Sequence, residues 1–91
     1  MAVTVRIPVT LRRLTGGIAT VQATGATVAE VIANLDRQFP GLREKICAGE
    51  DCERRLVNIY VDGEDIRFRE QLATRLPEGA EVTLLPVVAG G

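Results

Sequence analysis

Thr27-Val28-Ala29-Glu30-Val31-Ile32-Ala33-Asn34-Leu35-Asp36-Arg37-Gln38-Phe39-Pro40-Gly41 carries a sustained helical periodicity. Val28, Val31, Ile32 and Leu35 fall on one face of a 3.6-residue helix, and Glu30, Asn34, Asp36 and Arg37 fall on the other. Thr27 and Glu30 form a capping-box pair, each side chain placed to satisfy an amide that the first turn leaves open. Pro40-Gly41 cannot continue the helix and ends it. An amphipathic helix of this length has to bury its apolar stripe against something else.

The flanking sequence supplies a sheet. Upstream, Val3, Val5 and Ile7 alternate with Thr4 and Arg6, the period of a half-buried strand that Pro8 brings to its end. Thr15-Gly16-Gly17 is a turn, and Ile18 to Ala23 returns as a second strand with Val21 inward, completing a hairpin with a longish loop. Gly25 breaks that strand before the helix. Downstream, Leu42 and Ile46 are spaced for one further helical turn, and Ala48-Gly49-Glu50-Asp51 reads as a polar surface loop. Leu56 to Val61 is a strand with Val57, Ile59 and Val61 on one face. Asp62-Gly63 is a turn, and Ile66 to Phe68 is expected to return as a short strand. Leu72 and Leu76 pack a short turn, Pro77-Glu78-Gly79 reverses the chain, and Val82 to Val87 is the last strand. The order strand, strand, helix, strand, short strand, strand predicts an α+β domain. Its mixed sheet of four to five strands packs on one main helix, with the first and last strands paired in the middle. That is the β-grasp, ubiquitin-like architecture. Residues 1–86 form the domain and 87–91 a C-terminal tail.

Composition narrows the function. The 91 residues are 46% hydrophobic with a net charge of −1, enough apolar material for one small core. No apolar run reaches bilayer length, and residues 1–10 lack the basic start and long apolar segment of a secretory signal. The expectation is a cytoplasmic protein, monomeric on its own, with no membrane partner. Phe39, Tyr60 and Phe68 are the only aromatics, and Arg12-Arg13 and Arg54-Arg55 are pairs rather than a basic stripe, so no nucleic-acid partner is expected. Histidine is absent, which removes the usual general base and the commonest metal ligand. Cys47 and Cys52 lack the spacing of a redox or zinc motif and are expected to be loop thiols without a role, a regulatory disulfide being the lesser alternative. No metal site is predicted. Asp62, Glu64 and Asp65 read as a solvated acidic turn, with electrostatic docking to a partner as the alternative.

The chain stops on Val87-Val88-Ala89-Gly90-Gly91. Termini ordinarily fray without consequence. Here the chain leaves the domain directly from a strand, and two residues without a Cβ can enter a channel too narrow for others. The Gly91 carboxylate is then the least hindered acyl group available. If Val57, Ile59 and Val61 face the helix, Tyr60 faces out, and Leu85 does so beside the inward Leu84. Tyr60 and Leu85 would form a small apolar patch at the root of the tail, with Val87, Val88, Ala89 and Gly90 completing a surface for a partner.

The segment Val57 to Phe68, the strand running to Leu84-Leu85-Pro86 and the ending Val87-Val88-Ala89-Gly90-Gly91 resemble the MoaD/ThiS family of ubiquitin-like sulfur carriers. The Val57-Asn58-Ile59-Tyr60-Val61 strand with its acidic turn, the chain length and the Pro86-to-Gly91 ending are most similar to the branch that supplies sulfide for cysteine synthesis. The resemblance implies that an E1-like partner uses ATP to adenylate Gly91 and that sulfur then displaces AMP, leaving a thiocarboxylate. Its soft, ionised sulfur is nucleophilic without a base on the carrier. The chain would be a protein cosubstrate rather than an enzyme, binding no cofactor itself. A downstream synthase would accept the sulfur; in that branch it resembles a pyridoxal-phosphate cysteine synthase, with a metallopeptidase freeing the product. Molybdopterin, thiamin and a sulfur-containing specialised metabolite are alternative destinations. Two other classes stay open: a ubiquitin-like modifier conjugated through Gly91, and a binding module with an inert tail.

Overall fold

Alternation of β-branched and polar residues extends Ala2–Arg6 (β1) and Thr20–Thr24 (β2) into an antiparallel pair, with Val5 opposite Val21. The computed structural model describes residues 2–49, 52 and 54–86. The hairpin connection is a 3-10 helix, Val9–Thr15, closed by Gly16 in the left-handed region at φ 68°. The Thr15 hydroxyl, itself buried, reaches the carbonyls of Arg12 at 3.1 Å and Ile18 at 2.8 Å. This is how a long loop keeps its polar groups satisfied.

Helix α1, Val28–Gln38, follows with Thr27 as N-cap. The Thr27 hydroxyl accepts from the Glu30 amide at 3.3 Å, as the capping box predicts. The Glu30 carboxylate accepts from the amide of Ala26, one residue before the cap, at 3.0 Å. The reciprocal bond therefore ties down the approach to the helix rather than the cap itself. Val28, Val31, Ile32 and Leu35 are buried, each stabilising the fold by about 2 kcal/mol relative to exposure. The predicted extra turn is α2, Leu42–Ile46, and both of its end residues are fully buried.

Strand β5, Val57–Val61, alternates buried and half-buried residues as predicted. Asp62 at φ 50° and Gly63 at φ 87° then make the two-residue turn that the right-handed twist of a hairpin favours. The return strand β6 is only Glu64–Asp65. Ile66–Phe68, expected as a strand, is instead a 3-10 turn, because the Asp65 carboxylate accepts from the Arg67 amide at 2.8 Å and caps it. A second short turn, Gln71–Ala73, leads to the buried Thr74, whose carbonyl accepts from the Val28 amide at 3.1 Å. The last strand is β7, Glu81–Pro86.

Among the described residues, the main sheet has five strands in the order β2-β1-β7-β5-β6. β1 and β7 pair in parallel at its centre and the other pairings are antiparallel. This is the mixed sheet expected for a β-grasp domain, with both terminal strands inside it. One face, carrying Val3, Val5, Val57, Ile59, Val61, Val82 and Leu84, is buried in the core that α1 shares.

The segment between α2 and β5 differs from its sequence reading. Cys47–Ala48 (β3) pairs antiparallel with Arg54–Arg55 (β4), a small ribbon apart from the main sheet. The ribbon brings the Cα atoms of Cys47 and Cys52 to 5.1 Å, and the two are joined by a disulfide. They are not free loop thiols: closure of the ribbon places them within bonding distance. Of the predicted loop, Ala48 and Gly49 are exposed, while Glu50 and Asp51 lie outside the described residues.

Candidate functional site

The face of the sheet turned away from α1 carries the residues that alternate with the core: Thr4, Arg6, Gln22, Asn58, Tyr60, Thr83 and Leu85. Tyr60 is opposite Thr83 and Asn58 is opposite Leu85, so Tyr60 and Leu85 lie diagonally across adjacent strands. That register brings the two predicted patch residues together. Leu85 is 45% exposed and Tyr60 half-buried. Leu85 is also the penultimate residue of β7, so the patch sits where the chain leaves the sheet. The other predicted site residues, Val87, Val88, Ala89, Gly90 and Gly91, lie outside the described residues.

Two features flank this patch. On the β1 side, Ile7, Pro8, Val9, Thr20, Leu85 and Pro86 help line an apolar groove of about 380 Å³. Val9 is 73% exposed there, a residue that the sequence pattern left inside a loop. On the β5 side, Cys52, Arg54, Arg55, Asn58, Arg67 and Gln71 line a basic pocket of about 490 Å³. Arg55 donates to the Gln71 side-chain carbonyl across it. The pocket joins residues far apart in sequence, which is why single arginine pairs gave no sign of it.

The acidic turn divides by role. Asp62 closes the turn, accepting from the Glu81 amide at 2.9 Å. Glu64 pairs with Arg69 at 3.1 Å on the surface, where such a bridge adds little stability. Asp65 is buried rather than solvated. It accepts from Arg67 Nε at 3.1 Å and Nη2 at 2.9 Å as well as from the Arg67 amide. The Arg67 side chain, and then its amide, hold the Asp65 carboxyl below the usual carboxylate range, against the opposing effect of burial. Phe68, next along, is 79% exposed. Sequence reading placed it in a strand, and its exposure follows from the cap that ends the strand at Asp65.

Among the described residues, no group of three or more His, Cys, Asp or Glu side chains is placed to hold a metal ion. None of their helices is long and apolar enough to cross a membrane.

The ThiS family model matches residues 5–91, which takes in the sheet, the helix and the ending. The chain belongs to the ThiS family. The sulfur carrier protein CysO of Mycobacterium tuberculosis is 45% identical over 93 residues, with both chains covered in full. The crystal structure of the Amycolatopsis orientalis BexX/CysO complex contains a chain 42% identical to this one, with a TM-score of 0.88, covering 98% of this chain and 99% of that one. The small archaeal modifier protein 1 of Methanosarcina acetivorans is 29% identical with a TM-score of 0.83, covering 99% and 96%. The resemblance to the MoaD/ThiS carriers thus extends over the whole chain. These relatives share the β-grasp fold of this chain.

Proposed function

We propose that this ThiS-family chain is a sulfur carrier whose Gly91 carboxylate is activated and converted to a thiocarboxylate. The observation that carries the reading is full-length identity of 45% to a protein named as a sulfur carrier, with the family match running through Gly91. A free carboxylate is a poor acyl donor because oxide would have to leave. An E1-like partner holding ATP would form the Gly91 acyl-adenylate and release pyrophosphate. Sulfide would then displace AMP. The chain's own part is to present the carboxylate. Five residues follow Pro86, a contour of at most about 17 Å, long enough to reach into a partner while the domain stays outside it.

In this reading the outward face of β5 and β7 recognises the partner, with Tyr60 and Leu85 against it and the adjacent apolar groove continuing the contact. That a structural relative is found in a BexX/CysO complex supports docking of a protein partner on this fold. The sulfur acceptor would be a synthase, and cysteine is the favoured product because the relative at 45% identity is a CysO. The chain would act in the cytoplasm as a cosubstrate, the ATP and any other cofactor belonging to its partners.

Intact-protein mass spectrometry after incubation with ATP, an E1-like enzyme and a sulfide source tests this. A gain equal to exchange of one oxygen for sulfur, mapped to Gly91 and absent when Gly91 is deleted, is expected. An unchanged mass, from an enzyme that thiolates another carrier in the same tube, would overturn it. The likeness to a small archaeal modifier supports a second reading, conjugation of Gly91 to other proteins. Higher-mass conjugates in lysate, lost on deleting Gly90-Gly91, would favour that reading.

A further inference from the structure

We infer that Cys47 and Cys52 form a reversible thiol–disulfide site in which Cys52 is the exchanging sulfur and Cys47 the resolving one. The inference is independent of the chemistry at Gly91.

The two cysteines differ in access. Cys47 is 1% exposed, sits at the C-terminal end of α2 and belongs to the apolar core. Cys52 is half-buried and lines the basic pocket with Arg54, Arg55 and Arg67. A reagent arriving from solvent meets Cys52. Cys47, enclosed by the core, is out of reach of that reagent until Cys52 has reacted. The antiparallel pairing of Cys47 with Arg55 and of Ala48 with Arg54 is built by backbone hydrogen bonds. Cys52 lies in the loop of that ribbon, where its amide donates to the Gly49 carbonyl at 3.2 Å, so the backbone that sets the two Cα atoms 5.1 Å apart is hydrogen-bonded independently of the bond between the sulfurs. That is what a resolving cysteine requires.

The oxidant is a low-molecular-weight disulfide, RSSR. The Cys52 thiolate attacks one sulfur of RSSR, breaking its S–S bond, forming a Cys52–SR mixed disulfide and releasing RS⁻. Cys47 then gives up its proton and attacks the Cys52 sulfur, forming the internal bond and releasing the second RS⁻. Two protein thiols are oxidised and RSSR is reduced to two thiols. The reverse reaction starts with attack of a thiolate on Cys52, with Cys47 leaving. The site is thus a redox-modifiable wall of the arginine pocket.

The test uses full-length protein reduced with dithiothreitol, desalted and exposed to oxidised glutathione under native conditions, followed by intact mass. The wild type is expected to lose two hydrogens and keep no adduct. Cys47→Ala should retain one glutathione on Cys52. Cys52→Ser should take up glutathione on the order of tenfold more slowly, the difference vanishing in denaturant. Should either variant fail to fold, brief alkylation of reduced wild type serves instead, and Cys52 should be modified before Cys47. Equal labelling of the two variants, alkylation of Cys47 first, a wild type that stays a dithiol, or one that accumulates two glutathiones would each overturn the inference.

Discussion

Asp65 shows how one side chain can set local structure and pH dependence together. Its carboxylate caps the turn Ile66–Phe68 and takes two hydrogen bonds from the Arg67 guanidinium. Because the folded protein holds this carboxyl below its ordinary range, the unfolded chain binds the proton more readily. Stability from Asp65 is therefore fully present above the unfolded value of about 4 and is lost as pH falls through the lower, folded value. Asp65→Asn should lower the melting temperature at neutral pH, and the gap from wild type should narrow as pH falls below the ordinary carboxylate range of about 4. Melting curves of both proteins from neutral to acid pH check this. Parallel curves would mean that the ionised carboxylate contributes nothing. In sequence, Asp62, Glu64 and Asp65 looked equivalent. Register sets Asp65 opposite the outward Tyr60 and Glu64 opposite the core residue Val61; what separates them is Arg67, whose guanidinium and amide both bond the Asp65 carboxylate, and no short-range pattern carries that information.

At the scale of elements, the junction between β2 and α1 depends on a residue with no side chain. A Cβ on Gly25 would lie 2.9 Å from the Val31 amide nitrogen and 3.0 Å from both Glu30 Cβ and Val31 Cγ2, at a backbone φ of 159°. The first of those contacts is helix backbone and has little room to give. Gly79, at φ 78°, has nothing within 4 Å of the same position. Gly79→Ala should cost only its backbone strain, about 1 kcal/mol, whereas Gly25→Ala should cost about 3 kcal/mol by crowding the helix start. Urea denaturation of the pair measures the difference, and equal losses would show that the crowding is relieved elsewhere. Sequence reading took Gly25 only as a strand breaker. It correctly found α1, β1, β5 and β7, because each carries its own hydrophobic period. It missed the ribbon of β3 and β4 and the 3-10 turn at Ile66, because these arise from pairing across a loop and from a side-chain cap. Strands of two residues leave no period to read.

The molecule as a whole places both terminal strands, β1 and β7, side by side in the centre of the sheet. β7 pairs with β1 over Glu81, Val82 and Thr83 and with β5 from Val82 to Pro86, so the start of the strand is held on both edges and its end by β5. Core burial decides which side chains of that strand reach the surface. Leu84 is 2% exposed and Leu85 45%, so the alternation that builds the core also puts an apolar side chain outside, directly before Pro86. This much of the candidate site was legible, because Leu85 and Tyr60 follow from parity along strands whose inner faces are unambiguous. The groove beside them was not legible, since it needs the 3-10 course of Val9–Thr15. If the face docks the activating enzyme, Leu85 sits where a central contact belongs, and loss of such a contact costs about 2 kcal/mol. Leu85→Asp should then lower kcat/KM for adenylation of Gly91 by about thirtyfold. The substitution is on an exposed position, so the melting temperature should move little. Pyrophosphate release gives the rate and circular dichroism confirms the fold. A change confined to KM would place Leu85 in binding alone, whereas a matching fall in kcat would mean that the contact also positions the tail. An unchanged rate in a folded variant would exclude this face, and the partner would then have to recognise the tail and some other surface.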